Sequence, residues 1–248
     1  KWLNQDVRNE RYYQADQTAR ITIWERNFLP GQVQLELTGM DSPSLSWAHR
    51  PGDGCGGSAA YESLNHSDGC AWTADLVFDK DGEYSFGISC QDAAGNRGTY
   101  EKTDTFVIDK TPPVLLVHWD HAEPVNDHYY ADSRSAVIEI KERNLFPGDL
   151  KASAQAGDRG EKTALPKLGE LRQWEEGSFR AGITFSEDGR YRLELQCMDL
   201  AGNEAQAYCS EEFVIDQTPP ELVFEGVEDC SANQGAAAVK MRAMDRNF

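Results

Sequence analysis

The sequence predicts an all-β chain of antiparallel β-sandwiches laid end to end. Three observations predict it. Long segments recur at fixed offsets, apolar and polar residues alternate at period two, and proline-rich joints close each recurring unit.

The recurrence is visible by self-comparison. Phe106-Val-Ile-Asp-Lys-Thr-Pro-Pro113 returns as Phe213-Val-Ile-Asp-Gln-Thr-Pro-Pro220, an offset of 107 residues. Cys90-Gln-Asp-Ala-Ala-Gly-Asn96 and Cys197-Met-Asp-Leu-Ala-Gly-Asn203 share that offset, as do Asp81-Gly82-Glu83-Tyr84 and Asp188-Gly189-Arg190-Tyr191. Earlier in each unit the offset is 117: Trp2 matches Trp119, Tyr12-Tyr13 match Tyr129-Tyr130, and Glu25-Arg26-Asn27-Phe28 matches Glu142-Arg143-Asn144-Leu145. The ten-residue difference falls between Gly31 and Trp72, where Gly-rich residues 50–58 have the composition of an inserted surface loop. The expected domains are 1–113, 114–220 and 221–248, the last being the opening strands of a third unit. The chain begins at Lys1 and stops within a motif, Asp245-Arg246-Asn247-Phe248, that opens longer units earlier, so it reads as an excerpt of a larger polypeptide.

Each unit is expected to consist of strands. Trp72, Ala74, Leu76 and Phe78 alternate with polar residues, and Phe179, Ala181, Ile183 and Phe185 repeat the pattern. Tyr84, Phe86, Ile88 and Cys90 form one apolar row, matched by Tyr191, Leu193, Leu195 and Cys197. Alternation over seven residues describes a half-buried strand, because successive side chains point to opposite faces. Val114–Trp119, Ala136–Lys141, Leu150–Gln155 and Ala205–Ile215 are further strands of the second unit. Six or seven short strands in about 100 residues favour two facing sheets, since one sheet cannot bury both its faces. Pro fixes its own φ and restricts its predecessor, so the Thr-Pro-Pro joints are expected to be extended and stiff.

An Asp-Gly-x-Tyr corner, an Asp-x-Ala-Gly-Asn turn and a closing Phe-Val-Ile-Asp-x-Thr-Pro-Pro together resemble bacterial immunoglobulin-like (Big-type) tandem repeats. The resemblance covers essentially all of the chain. It implies immunoglobulin-like sandwiches and a place in the stalk of a large secreted or cell-surface protein, adhesins included. It also places Tyr84 and Tyr191 at the family's tyrosine corner. One departure stands out: no Cys occurs in Arg20–Trp24 or Ala136–Lys141, so the antibody-type bridge between sheets is not available to Cys90 or Cys197.

Charge narrows the function further. The chain carries 24 basic and 42 acidic residues, a net charge of −18. Such an excess disfavours a phosphate backbone and anionic lipid, both of which need a basic face. No apolar run approaches the length of a membrane span. No phosphate loop, nucleophile elbow or paired-carboxylate motif stands out, so no catalytic residue is expected and the chain reads as non-enzymatic. The expected function is a spacer or stalk module, extracellular or on a bacterial surface, whose partners are other domains of the same polypeptide. The alternatives are a module binding glycan or host protein through the insertion bearing Trp47, Tyr61 and Trp72, and an accessory region of a secreted hydrolase.

No cofactor is expected, with calcium as the one candidate. Asp109 and Asp216 stand at the joints, where they cap the backbone or ligate a cation, and some repeats of the resembled family hold calcium between domains. Glu25, Glu142 and Asp245 share an acidic repeat position and could add oxygens. Asp92 and Asp199 read as turn residues, with cation binding as the alternative. His118, His121 and His128 read as a solvated strand end and loop. Among the six cysteines, Cys55–Cys70 across the insertion is the first choice of bridge; Cys70–Cys90, Cys197–Cys209 and Cys209–Cys230 are rivals, and Cys90 and Cys197 as buried thiols are equally open.

Overall fold

In the computed structural model every residue is described except 26, 42, 51–69, 102, 121–122, 157–165, 227–229, 231, 233 and 246–248. The described residues form twenty strands, two short 3-10 turns and no α-helix. The chain divides into two compact units. The first comprises Lys1–Pro113 with Asn144–Phe146 and Met198–Glu204; the second comprises Val114–Arg143, Pro147–Cys197 and Ala205–Phe248.

The first unit contains β1 (Val7–Arg8), β2 (Tyr12–Tyr13), β3 (Gln17–Trp24), β4 (Gln34–Thr38), β5 (Ala48–Arg50), β6 (Ala71–Phe78), β7 (Gly82–Gln91), β8 (Arg97–Tyr100) and β9 (Phe106–Ile108). One sheet runs β3-β6-β5 and the other β1-β2-β9-β7-β4, with β8 also paired to β7. The period-two rows do what alternation predicts. Ala19, Ile21, Leu76 and Phe78 of one sheet meet Tyr84, Phe86, Phe106 and Ile108 of the other in a single core. Trp2 closes this core edge-on, its ring 5.2 Å from Phe106.

In the second unit the strands are β10 (Val114–Trp119), β11 (Tyr129–Tyr130), β12 (Arg134–Lys141), β13 (Lys151–Ala156), β14 (Arg172–Glu175), β15 (Ser178–Phe185), β16 (Gly189–Gln196), β17 (Tyr208–Cys209), β18 (Phe213–Ile215), β19 (Glu221–Glu225) and β20 (Lys240–Met244). Its sheets are β10-β12-β15-β14 and β11-β18-β16-β13, with β17 on β16 and β19-β20 as a separate pair. Phe185 meets Phe213 and Tyr191 across the layers at centroid distances of 5.0 Å. Ile138, Ile140, Leu193, Leu195 and Ile215 are fully buried. Burial of each such side chain is worth roughly 1.5–3 kcal/mol.

Two expectations are corrected. Not every pairing is antiparallel: β2 runs parallel to β9, and β11 to β18. The expected strand Ala205–Ile215 is broken into β17 and β18. At the break the Ser210 hydroxyl accepts the Leu193 N–H at 2.9 Å, standing in for a backbone carbonyl. Thr103 does the same for Phe86 N–H at 3.0 Å in the first unit. A side chain in the ladder ends the regular run, and period-two counting cannot register that.

The cysteine rivals are also corrected. Cys90, Cys197, Cys209 and Cys230 are not disulfide-bonded. In the β16–β17 register Cys209 lies opposite Glu194 rather than Cys197, and Cys90 lies opposite Gly98. Cys55 falls outside the described residues. In β19 and β20, Leu222, Phe224 and Met241 are exposed.

Candidate functional site

The Asp-x-Ala-Gly-Asn turns follow β7 and β16, and Gly95 and Gly202 take φ of +91° and +93° there, a conformation that glycine adopts without strain. In the first turn Asp92 accepts the Ala94 and Asn96 N–H groups at 2.9 and 2.8 Å on one oxygen and the Asn96 side-chain amide at 2.8 Å on the other. Asp199 accepts the Gly202 and Asn203 N–H groups at 2.7 and 2.8 Å, and the Asn203 amide at 2.7 Å. The chemistry is shared; the surroundings differ.

Asp92 is half-buried, and the Asn96 side-chain bond leads the effects that lower its pKa below the ordinary carboxylate range. Asp199 is 1% exposed, and desolvation raises its pKa despite the Asn203 bonds, with the Asp109 charge adding to the rise.

Asp109 ends β9 and is itself buried, within 4.8 Å of Asp199 measured between carboxylate oxygens. Its Oδ1 accepts the Thr111 N–H at 3.2 Å and its Oδ2 accepts the Asn144 amide at 2.6 Å. Asn203 donates to the Asp109 carbonyl at 2.8 Å. Around these groups Tyr12, Val107, Leu200 and Ala201 exclude water, and Asn9 donates to the Leu200 carbonyl at 2.7 Å. Asp109 and Asp199 thus lie out of water, compensated by amide donors. Sequence singled out Asp109 and Asp199 separately; no periodicity or spacing announced that Met198–Glu204 belongs with Asp109 in the first unit.

Asp216 occupies the corresponding place in the second unit. It accepts the Thr218 N–H at 3.3 Å, and with Asp245, Asp188 and Arg190 it lines a cleft of about 390 Å³. Of the remaining acidic positions, Glu142 is buried, whereas Glu25 is half-buried and accepts the Asn27 N–H at 2.8 Å.

The joints carry a clasp built on Asp81 and Asp188. Asp81 accepts the Lys110 N–H at 3.1 Å and the Thr111 hydroxyl at 2.6 Å. Asp188 does likewise for Gln217 N–H at 2.8 Å and for the Thr218 hydroxyl. The Thr218 bond is the main cause of the lowered Asp188 pKa. Above each clasp a tyrosine hydroxyl donates to a carbonyl four residues upstream, Tyr84 to Lys80 and Tyr191 to Glu187, both at 2.8 Å.

The other candidates lie apart. His118 is exposed on β10, and His128 bonds Asp127 at 2.8 Å through Nδ1; His121 is outside the described residues. Trp72 packs 5.2 Å from Phe28, and Trp47 4.9 Å from the same ring, so both serve the interior of the first unit. Tyr61 lies outside the described residues.

No protein-family model matches the sequence, and no curated protein matches it either. Among solved structures, a purple acid phosphatase from the seeds of yellow lupin (Lupinus luteus) is similar at 10% identity and a TM-score of 0.24, over 85% of this chain and 40% of that one. The chain therefore spans less than half the length of that structure, and so slight a likeness carries no argument.

Proposed function

We propose that the chain is a non-catalytic spacer of tandem immunoglobulin-like sandwiches, part of the stalk of a bacterial secreted or cell-surface protein. The observation that carries this reading is what the recurring polar residues are spent on. Asp81, Tyr84, Thr103 and Asp109, and their counterparts Asp188, Tyr191, Ser210 and Asp216, all engage backbone within their own unit. Chemistry needs groups directed at a substrate; these are directed at the fold. The Tyr84 and Tyr191 bonds have the form of a tyrosine corner, which favours the immunoglobulin-like assignment. Charge supports solubility of the series, with 10 basic against 17 acidic residues in 1–113 and 11 against 20 in 114–220. A Cys55–Cys70 bridge across the insertion belongs to the same proposal, and mass spectrometry of the unreduced chain would detect it.

Calcium is a separable part. Asp109 and Asp199 fit a divalent cation in charge, and calcium would need further oxygens to reach its six to eight ligands. Calorimetric titration showing no heat and no change in melting temperature would remove calcium and leave the spacer intact.

The experiment that tests the spacer is exposure of the immobilised chain to arrays of glycans and extracellular matrix proteins. The expected outcome is no saturable binding. Saturable binding abolished by deleting the insertion would favour the adhesive module instead.

A further inference from the structure

The two units share an arrangement of three rings and fill it differently. In the second, the Arg134 guanidinium lies over Trp119, Tyr130 and Phe213, at 4.1, 4.6 and 4.7 Å from their ring centroids. Its Nε is buried without a hydrogen-bond partner among the described residues, so ring faces hold this part of the cation. The first unit repeats the rings as Trp2, Tyr13 and Phe106. Trp2 stands 5.2 Å from Phe106 at 70°, and Tyr13 stands 6.1 Å from it at 89°. The corresponding values about Phe213 are 5.2 Å at 75° for Trp119 and 6.2 Å at 86° for Tyr130. The same cage is built twice.

The cation is not repeated. Gln17 takes the place of Arg134, is shorter and uncharged, and turns its amide to Asn4. Its Nε2 donates to the Asn4 carbonyl at 3.1 Å and its Oε1 accepts the Asn4 N–H at 3.2 Å. Arg11 is engaged elsewhere, with Glu83 at 3.0 Å and over the Tyr12 ring. Burial registers the difference: Tyr13 is half-buried where Tyr130 is buried. A cleft of about 440 Å³ opens here, lined by Trp2, Tyr13, Gln17 and Phe106 and rimmed by the exposed Glu10 and Asp104. Every residue lining it belongs to the first unit. Trp2 is bridged to Ala19 and Lys1 bonds to Arg20, so this end of the chain is directed along β3 toward Trp24 and away from Gln17. In the second unit β10 does the same, from Trp119 opposite Ala136 to Val114 opposite Lys141.

We propose that this cleft binds a small organic cation, a guanidinium on a short apolar stem. The cation sits against Trp2, Tyr13 and Phe106 as Arg134 sits against their counterparts, and Glu10 and Asp104 supply negative charge at the mouth. A planar guanidinium suits ring faces better than a compact, strongly hydrated ammonium does. The second unit thus names the chemistry, and Gln17, drawn to Asn4, leaves the ring faces to the ligand. A seat of side-chain size gives an affinity of about 1–10 mM, too weak to be retained on an array, so the spacer reading stands beside it.

The test titrates the 248-residue chain with butylguanidinium and follows the Trp2 indole N–H by NMR, the resonance being assigned with Trp2→Phe. A saturable shift with a midpoint of about 1–10 mM is expected. Butylurea has the same shape without the charge and should bind at least ~10-fold more weakly. Gln17→Arg supplies the cation from within and should abolish the shift. The double variant Glu10→Gln with Asp104→Asn changes only the exposed rim, so its fold is not at risk, and it should weaken binding roughly 2–5-fold. Absence of a saturable shift, equal binding of butylurea, or unchanged affinity of either variant overturns the proposal. N-acetylarginine methylamide separates a free cation from a partner's arginine: weaker binding than that of butylguanidinium is expected. Binding ~10-fold tighter would seat the side chain of another protein in the cleft and overturn this choice of occupant.

Discussion

Asp92 and Asp199 accept almost the same hydrogen bonds, yet their acidities move in opposite directions, because only Asp199 is taken out of water beside another carboxylate. The sign for stability follows. A raised folded pKa means that Asp199 favours folding increasingly as pH falls from that raised value to the unfolded value near ~3.9, below which the gain is complete. A lowered pKa means that the contribution of Asp92 is present above the unfolded value and is lost as pH falls through the folded one. Relative to Asp199→Asn, wild type should therefore gain stability on acidification; relative to Asp92→Asn it should lose it. Urea denaturation across a pH series checks both, and slopes of equal sign would contradict the burial argument. Tyr84→Phe and Tyr191→Phe each remove one hydroxyl bond to a carbonyl and should cost about 1 kcal/mol, equally in the two units. Arg134 is less familiar. Its guanidinium stands 4.1 Å from the Trp119 ring centroid and 4.6 Å from that of Tyr130, where the first unit has Gln17 bonded to Asn4. Arg134→Ala should cost roughly 1–2 kcal/mol, measured by chemical denaturation.

Strand positions were legible wherever one face is buried and the other wet. β6, β10, β12, β15 and β16 appear within one or two residues of where alternation put them. What alternation missed has a common physical cause. Thr103 and Ser210 replace a ladder carbonyl with a hydroxyl, and the two-residue strands β2 and β11 pair in parallel with strands about 85–95 residues away; neither leaves a periodic trace. The candidate site was legible in its parts. Asp109 was found from its place before the joint and Asp199 from its turn motif, while their proximity depends on long-range packing that single residues do not encode. At this scale the core makes the sharpest demand. Leu193→Ala removes a wholly buried side chain from β16 and should cost about 2–5 kcal/mol, whereas Val137→Ala on the exposed face of β12 should cost under about 1 kcal/mol.

At the scale of the whole molecule, the same devices are installed twice: a core of two facing sheets, a tyrosine hydroxyl on a carbonyl, an Asp that clasps the Thr of the joint. Repetition of a structural device at a spacing of about one hundred residues fits the linkage in series proposed above. Stretching single 248-residue chains between a surface and a force probe tests this most directly. Two separate unfolding events are predicted, each lengthening the chain by at most roughly 350–400 Å, the extended length of a little over one hundred residues. A single event releasing both lengths together would contradict the account, because it would mean one cooperative body where two like units are claimed.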